Sequence, residues 1–542
     1  MGNEPSEEVQ VEQPRASTSN RAVSRSAFRV VLGGLISLAA GLASQAVVAA
    51  LFGAGVYMDA YLTALVVPTY IQAVLLAGLP FVVIPAFVQA EEGEGDGDAW
   101  SIVGTFFWLV GIVLTVVAVL GWLFAPQIIS LTAPGLSPEK AELSARMLSI
   151  LMFAVPITGL RTLTRGVQSA RNRFFWPAMA GALSSVVTLT ALLLLFETLG
   201  PLALAWSFLA SEVARASMTV VPVVRHGWAR LMPLNDSRFR EMLRLMIPFL
   251  LLGLVTRSMT LFERFFASGL PDGDLSYLGY AGRLPQMIMV VVGSGITTAI
   301  FPAMARAYVR DGDVGMVDRL EYGLRLSSAV ALPALAVISA VAVPLITLVF
   351  QHGAFTEVDT LSVSRIVPAV MFGAVVCPMV GNVLTRAFYV TKDTRTAPIV
   401  SAATSFMYIV LAWVLVGSMG YVGLALAVPL YRSVAIAILF LLLVSRLEPL
   451  RGTSVPKYVL GYAALSFAAF LAARAIVGLL SGFPALVPLV AGAAVAALLY
   501  IAVLYWMDRV IAESVLELTG VQRVFQAAKL GYRHLAQWSH GS

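Results

Sequence analysis

The chain of 542 residues is 59% hydrophobic and only 12% charged, against about 25% charged in ordinary globular chains, and its mean hydropathy is +0.86. A soluble protein of this composition could not cover its surface with polar groups, so the bilayer must be its main solvent; this excludes a soluble enzyme, a disordered scaffold and a basic nucleic-acid-binding domain. The formal charge of +6 is small for the length, and the one cysteine, Cys377, leaves no intramolecular disulfide or thiolate cluster.

A helix that crosses ~30 Å of hydrocarbon needs about 20 apolar residues, because its backbone must satisfy its own hydrogen bonds. The chain begins with a polar leader, 1–27, rich in Ser, Glu and Arg, which reads as a disordered tail. The leader and the full length of the first apolar stretch argue against a cleavable signal peptide. Fourteen spans are expected, at 28–52, 60–90, 100–124, 147–168, 177–197, 201–223, 243–268, 285–307, 323–350, 363–389, 397–417, 420–444, 456–480 and 484–507. The last segment, 508–542, mixes charged and apolar residues at helical spacing and reads as an interfacial helix.

The connecting segments test this division. Most of the 36 basic residues fall in alternate connections or in the two ends, whereas the loops of the opposite face hold only Lys140 and Arg146. Such alternation places both termini in the cytoplasm. One loop departs from it: Glu91, Glu92, Glu94, Asp96 and Asp98 make a cytoplasmic connection wholly acidic. The high pI, near 9.4, thus reflects topology and needs no nucleic-acid partner.

The two halves repeat each other. Phe52-Gly53-Ala54-Gly55 resembles Phe266-Ala267-Ser268-Gly269, and Ile84-Pro85-Ala86-Phe87 resembles Phe301-Pro302-Ala303-Met304. Pro134-Gly135 lines up with His352-Gly353, and the basic turn before Pro177 with that before Pro398. Six spans separate the copies, an even number, so both insert the same way round. The expected fold is therefore all-α: two parallel six-helix lobes, 28–223 and 224–444, with an added pair of helices at 445–507. Two such lobes suit a machine that rocks around a central site.

A charge inside the hydrocarbon costs at least ~2.5–3.5 kcal/mol and needs a reason. Span 7 holds Arg257, Glu263 and Arg264; Arg283 begins span 8; Arg161 and Arg165 stand one turn apart in span 4; Glu212 and Arg215 do so in span 6. A cavity with cationic walls that receives an anionic headgroup, such as a phosphate ester, would use these arginines, whose planar fork binds phosphate oxygens in pairs. Each has a structural alternative: Arg161 and Arg165 as snorkelling topology signals, Glu212–Arg215 and Glu263–Arg264 as ion pairs. Asp59 is the sole acidic group near the first lobe's outer mouth. There is no nucleotide-binding loop, no metal-ligand spacing and no pair of carboxylates suited to catalysis, so neither an enzyme nor a metal site is expected.

In these residues the chain resembles the MurJ-type (MviN-like) lipid II flippases of the multidrug/oligosaccharidyl-lipid/polysaccharide exporter superfamily. The resemblance covers roughly residues 30–510. It rests on an ordered series: Leu51-Phe52-Gly53-Ala54-Gly55 with Asp59, Pro85-Ala86-Phe87-Val88, Thr132-Ala133-Pro134-Gly135, Asn172-Arg173-Phe174, Phe265-Phe266-Ala267-Ser268 with Ser276, Tyr280-Ala281-Gly282-Arg283, Gly323-Leu324-Arg325-Leu326 and Phe350-Gln351-His352-Gly353-Ala354-Phe355. The resemblance implies fourteen helices, with the last two forming a groove for a lipid tail. It also implies a transporter of the bacterial cytoplasmic membrane that turns an undecaprenyl-pyrophosphate-linked peptidoglycan precursor outward by alternating access. Asp59, Ser276 and Arg283 match the family.

The first span does not: where the family carries arginines and an acid, this chain has Leu38, Ser44, Gln45 and Ala50. The expectation is that Arg257, Arg264, Arg283, Arg161, Arg165 and Ser276 bind the headgroup, with Asp59 and Glu263 as gating or charge partners. No cofactor is expected, and coupling to the membrane potential or to a monovalent cation is. Expected partners are the bilayer, a polyprenyl-pyrophosphate-linked glycan and cell-envelope synthesis proteins. A flippase for a lipid-linked surface-polysaccharide unit, a drug or cation antiporter, and an inactive scaffold stand as alternatives.

Overall fold

The computed structural model describes residues 34, 36–76, 78–93, 96–171, 173, 175–227, 231–233, 235–289 and 294–518. The expected tail 1–27, the start of the first span and most of 508–542 lie outside them. No strand occurs among the described residues. The helices are α1 (Ile36–Phe52), α2 (Val56–Leu75), α3 (Leu79–Gly93), α4 (Asp96–Leu123), α5 (Ala125–Thr132), α6 (Pro138–Leu151), α7 (Ala154–Ala170), α8 (Phe175–Leu199), α9 (Ala203–Gly227) and α10 (Ser237–Ala267). They continue as α11 (Asp274–Ala281), α12 (Arg283–Ile288), α13 (Ser294–Ala340), α14 (Ala342–Val349), α15 (Glu357–Met371), α16 (Cys377–Val390), α17 (Thr396–Met419), α18 (Tyr421–Arg446), α19 (Val455–Leu479), α20 (Leu486–Met507) and α21 (Arg509–Leu518).

Eleven stretches of the described residues are long and apolar enough to cross a membrane, with α1 as a shorter apolar helix. One stretch, Phe175–Arg225, folds back at Gly200–Leu202 and so makes two passes. The expected fourteen spans are thus met approximately. Large apolar side chains face outward along these helices, among them Leu194, Trp413, Leu441 and Leu498, as lipid requires.

Where the structure differs from the expected spans, proline and glycine explain most of the difference. The span at 147–168 is two helices broken at Met152–Phe153, because the ring of Pro156 excludes the carbonyl four residues before it. Pro344 acts likewise on Ala340, where α13 ends and α14 begins. Between α15 and α16 the chain widens into a π-helical turn, Phe372–Val376, ahead of Pro378. Arg432 of α18 donates to the Gly373 carbonyl in that turn at 2.6 Å, so this intramembrane arginine serves the backbone. The connection expected between the eighth and ninth spans is helical, since α13 runs through it and bends at Gly312, whose φ of 64° suits glycine.

The span at 60–90 is likewise two helices, α2 and α3, separated around Gly78. A Cβ on Gly78 would lie 3.3 Å from that of Phe249, and one on Gly253 would lie 3.3 Å from the Cα of Val74. These two glycines let α10 approach α2 backbone to backbone. Helix α10 also packs on α17 and thereby bridges the first bundle, α1–α9, to the second, α13–α18.

The acidic loop is settled locally. Glu91 accepts from Arg171 at 2.9 Å, and the guanidinium of Arg171 also stands 4.9 Å from the Trp100 ring. Helices α19 and α20 form a hairpin on α13. Asp508 fastens it: this buried carboxylate pairs with Arg325 and accepts from the Tyr462 hydroxyl at 2.5 Å.

Candidate functional site

Alternating small and polar residues at helical spacing open a space inside the first bundle. On α1, Ser37, Gly41, Ser44, Gln45 and Val48 recur every three or four residues and so share a face. Ser207, Ser211 and Arg215 do the same on α9. Together with Ser184 and Ser185 of α8, Tyr61 of α2, Arg283 and Gln286 of α12 and Phe350, they line a chamber of about 480 Å³. Among the described residues no carboxylate lines it. The Oε1 atom of Gln45 is buried without a hydrogen-bond partner, which leaves an unmet polar group at the wall.

Beside the chamber, Glu212 gathers the arginines of α7 and α9. Its side chain is buried and accepts from Thr158 Oγ1 at 3.0 Å. Arg161 Nε lies 3.3 Å away and Arg215 Nη1 2.8 Å away. Arg215 also donates to Ser184 Oγ at 2.6 Å. One carboxylate therefore serves two guanidinium groups. Arg161, Arg165 and Arg215 line a second pocket of about 180 Å³ with Pro177, Gly181 and Thr219. Arg215 belongs to both walls.

Of the residues expected to bind the headgroup, the structure brings Arg161 and Arg165 to the side pocket and Arg283 to the chamber. Arg161 is not a snorkelling residue, because its side chain is 17% exposed and held at Glu212. Arg257 is exposed on α10 and lines neither space. Arg264 Nη1 lies 3.9 Å from Glu263 and, like Nε, is buried without a hydrogen bond, on the helix that leans on α17. Neither side chain lines the chamber or the side pocket. The polar stripes on α1 and α9 are the wall residues that a search for charges misses, and their spacing in apolar helices was the available signal; Arg215, expected as a cavity cation or as the ion-pair partner of Glu212, is both.

Asp59 and Ser276 have a different setting. Asp59 is 2% exposed. Its Oδ1 accepts from Ser276 N at 2.8 Å and Ser276 Oγ at 2.5 Å, and its Oδ2 from Gly273 N at 2.8 Å. Lys140 lies 3.4 Å from Asp59 and also pairs with Asp272. Ser276 is fully buried, with both donors committed to Asp59. In this state it cannot touch a headgroup; it ties α11 to α2.

The rest of this end is a seam of backbone contacts. Ala354 N donates to the Ala50 carbonyl at 2.8 Å, and Tyr280 Oη to that of Gly53 at 2.8 Å. Gly53 and Gly353 have φ of 59° and 57°, and a Cβ on Gly53 would fall 2.5 Å from the Ala354 carbonyl oxygen. Gly135 N donates to Ser268 Oγ at 3.0 Å, and a Cβ on Gly135 would meet Gly269 at 2.8 Å. These are the landmarks of the sequence repeat, and they pair crosswise. The loop after the first span meets that after the ninth, and the loop after the third meets that after the seventh. Crosswise pairing is what a two-fold relation between the copies requires.

Burial and the neighbouring Asp59 push the Asp274 carboxyl up to about 6, against the pull of Lys140. An acid whose pKa rises on closure binds more protons when closed, so closure strengthens as pH falls and weakens as pH rises through about 6. Spin labels on cysteines at Ala50 and Ala354, in a Cys377→Ser background, are expected to lie closer together at pH 5.5 than at pH 7.5. Asp274→Asn should remove the difference.

An all-helical fold of many apolar passes that holds a cationic chamber has the form of a multi-pass membrane transporter. A solved lipid II flippase MurJ in an inward closed conformation superposes with a TM-score of 0.74 at 20% identity, covering 89% of this chain and 98% of that one. An inward-facing multidrug-resistance MATE transporter of the MOP superfamily gives 0.64 at 16% identity, over 78% and 96%. The family model for the lipid II flippase MurJ matches residues 48–495, and the chain belongs to that family. The lipid II flippase MurJ of Burkholderia cenocepacia is 24% identical over 418 residues, 75% of this chain and 81% of that protein.

Proposed function

We propose that this protein is a flippase that carries lipid II, a polyprenyl-diphosphate-linked peptidoglycan precursor, across the bacterial cytoplasmic membrane by alternating access. The observation that carries the reading is the chamber wall: guanidinium groups from Arg215 and Arg283, with serines and glutamines and, among the described residues, no carboxylate. Such a wall favours an anionic headgroup bearing many hydroxyls and amides. The family membership supports a lipid-linked glycan as the cargo, and a relative of matching extent is described as a lipid II flippase. An antiporter for cationic drugs would need carboxylates facing the chamber.

The arginine-rich turns support a cytoplasmic placement of both termini, which puts the Asp59 seam on the outer face. The lobes at 28–223 and 224–444 would then rock about the two-fold relation, with 445–507 offering the lipid tail a surface and the membrane potential or a monovalent cation driving the cycle. Cell-envelope synthesis proteins would meet the cytoplasmic tails. Expression of the chain in a bacterium depleted of its own lipid II flippase tests the proposal. Wall synthesis and cell shape should recover; lysis at wild-type membrane abundance of the protein would refute it.

A further inference from the structure

We infer that the side pocket of Arg161, Arg165 and Arg215 is a diphosphate seat, separate from the chamber that takes the rest of the headgroup. The inference rests on the transport reading above and names where the cargo's phosphates sit. Three guanidinium groups face this pocket, and the single carboxylate among them, Glu212, is already engaged by Thr158, Arg161 and Arg215. The cluster keeps two positive charges in excess within a membrane-embedded bundle. An excess of this kind is stable only with a counter-ion or with water.

The geometry favours an anion with several oxygens. Arg161 is held at Glu212 through its Nε, the Nε atom of Arg215 is buried without a hydrogen-bond partner, and Arg165 is exposed to the pocket. Donors from two helices, α7 and α9, thus converge on about 180 Å³. A diphosphate offers acceptors on two phosphorus centres, which three forks can share. Arg215 lines both spaces, so an anion seated here leaves its sugar-bearing side directed at the serine-lined chamber. The described part of α1 carries no charge, and Ser44 and Gln45 face the chamber there, so the cations near the chamber come from α7, α9 and α12.

The test uses the full chain in nanodiscs of uncharged phosphatidylcholine, titrated calorimetrically with inorganic pyrophosphate and, separately, with a polyprenyl diphosphate inserted in the disc. Both should bind, and each should displace the other. Arg165→Ala and Arg215→Gln should weaken both at least tenfold, Arg165→Lys less, and the exposed Arg451→Ala not at all; melting curves identify any variant that fails to fold. Equal binding by wild type and folded Arg165→Ala would overturn the seat. So would pyrophosphate binding that the polyprenyl diphosphate does not displace, because the site would then serve a free anion. If Arg165→Ala loses binding yet restores wall synthesis fully, the seat is overturned as a cargo site while the flippase reading stands. If the wild-type chain binds both probes but cannot restore wall synthesis, the flippase reading alone falls.

Discussion

Asp59→Asn is expected to open the seam at the Asp59 end and to abolish transport. The carboxylate accepts three hydrogen bonds and one ion pair in a buried position. An amide has one oxygen for these donors and turns an N–H₂ group toward the others. Breaking a buried pair from one side costs about 3–5 kcal/mol, and the lower end applies because Lys140 keeps Asp272. About 3 kcal/mol shifts a two-state equilibrium on the order of 100-fold. Cross-linking between cysteines at Ala50 and Ala354, whose backbones meet at 2.8 Å, should fall steeply while membrane abundance stays within twofold. An unchanged cross-linking yield would show that the glycine contacts alone hold the seam. Ser276→Ala removes only the hydroxyl donor and should act in the same direction more weakly.

Glu212→Ala is expected to destabilise the first bundle more than the loss of any one arginine around it. The substitution leaves Arg161 and Arg215 facing each other and Arg165 with no carboxylate between them. An uncompensated buried charge costs about 3–5 kcal/mol, which corresponds to a fall in melting temperature on the order of 10 °C. Removing Arg161 as well relieves the repulsion, so Glu212→Ala/Arg161→Gln should recover a good part of the loss. Additive losses in that double-mutant cycle would show that the two residues do not interact. Scanning fluorimetry of the purified variants reads the effect directly.

Much of the fold was legible because membrane helices must satisfy their backbones alone, so long apolar stretches and alternating arginines mark them. The breaks inside spans were visible as prolines, but their consequences were not. Pro156 and Pro344 split helices, whereas Pro248 lies within one continuous helix; neighbouring contacts decide between these outcomes. At the site, Arg161, Arg165 and Arg283 could be picked out by the expense of an intramembrane charge. Arg257 and Arg264 met the same criterion yet line neither space, because depth in a span does not report which neighbour a helix leans on. Ser276 matched a family position, but only its contact with Asp59 reveals that it serves the seam.

Composition and charge order thus settled the solvent, the all-helical class and the approximate number of passes, since these depend on local hydrophobicity and on each helix separately. The repeated landmarks were readable as a duplication. That they touch crosswise, Gly53 beside Ala354 and Gly135 beside Gly269, depends on how the copies dock. The polar chamber, the shared carboxylate of Glu212 and the side pocket arise where three or four helices converge. Residues as far apart as Ser37, Ser184, Arg215 and Arg283 become neighbours there, and a linear pattern carries no record of such meetings.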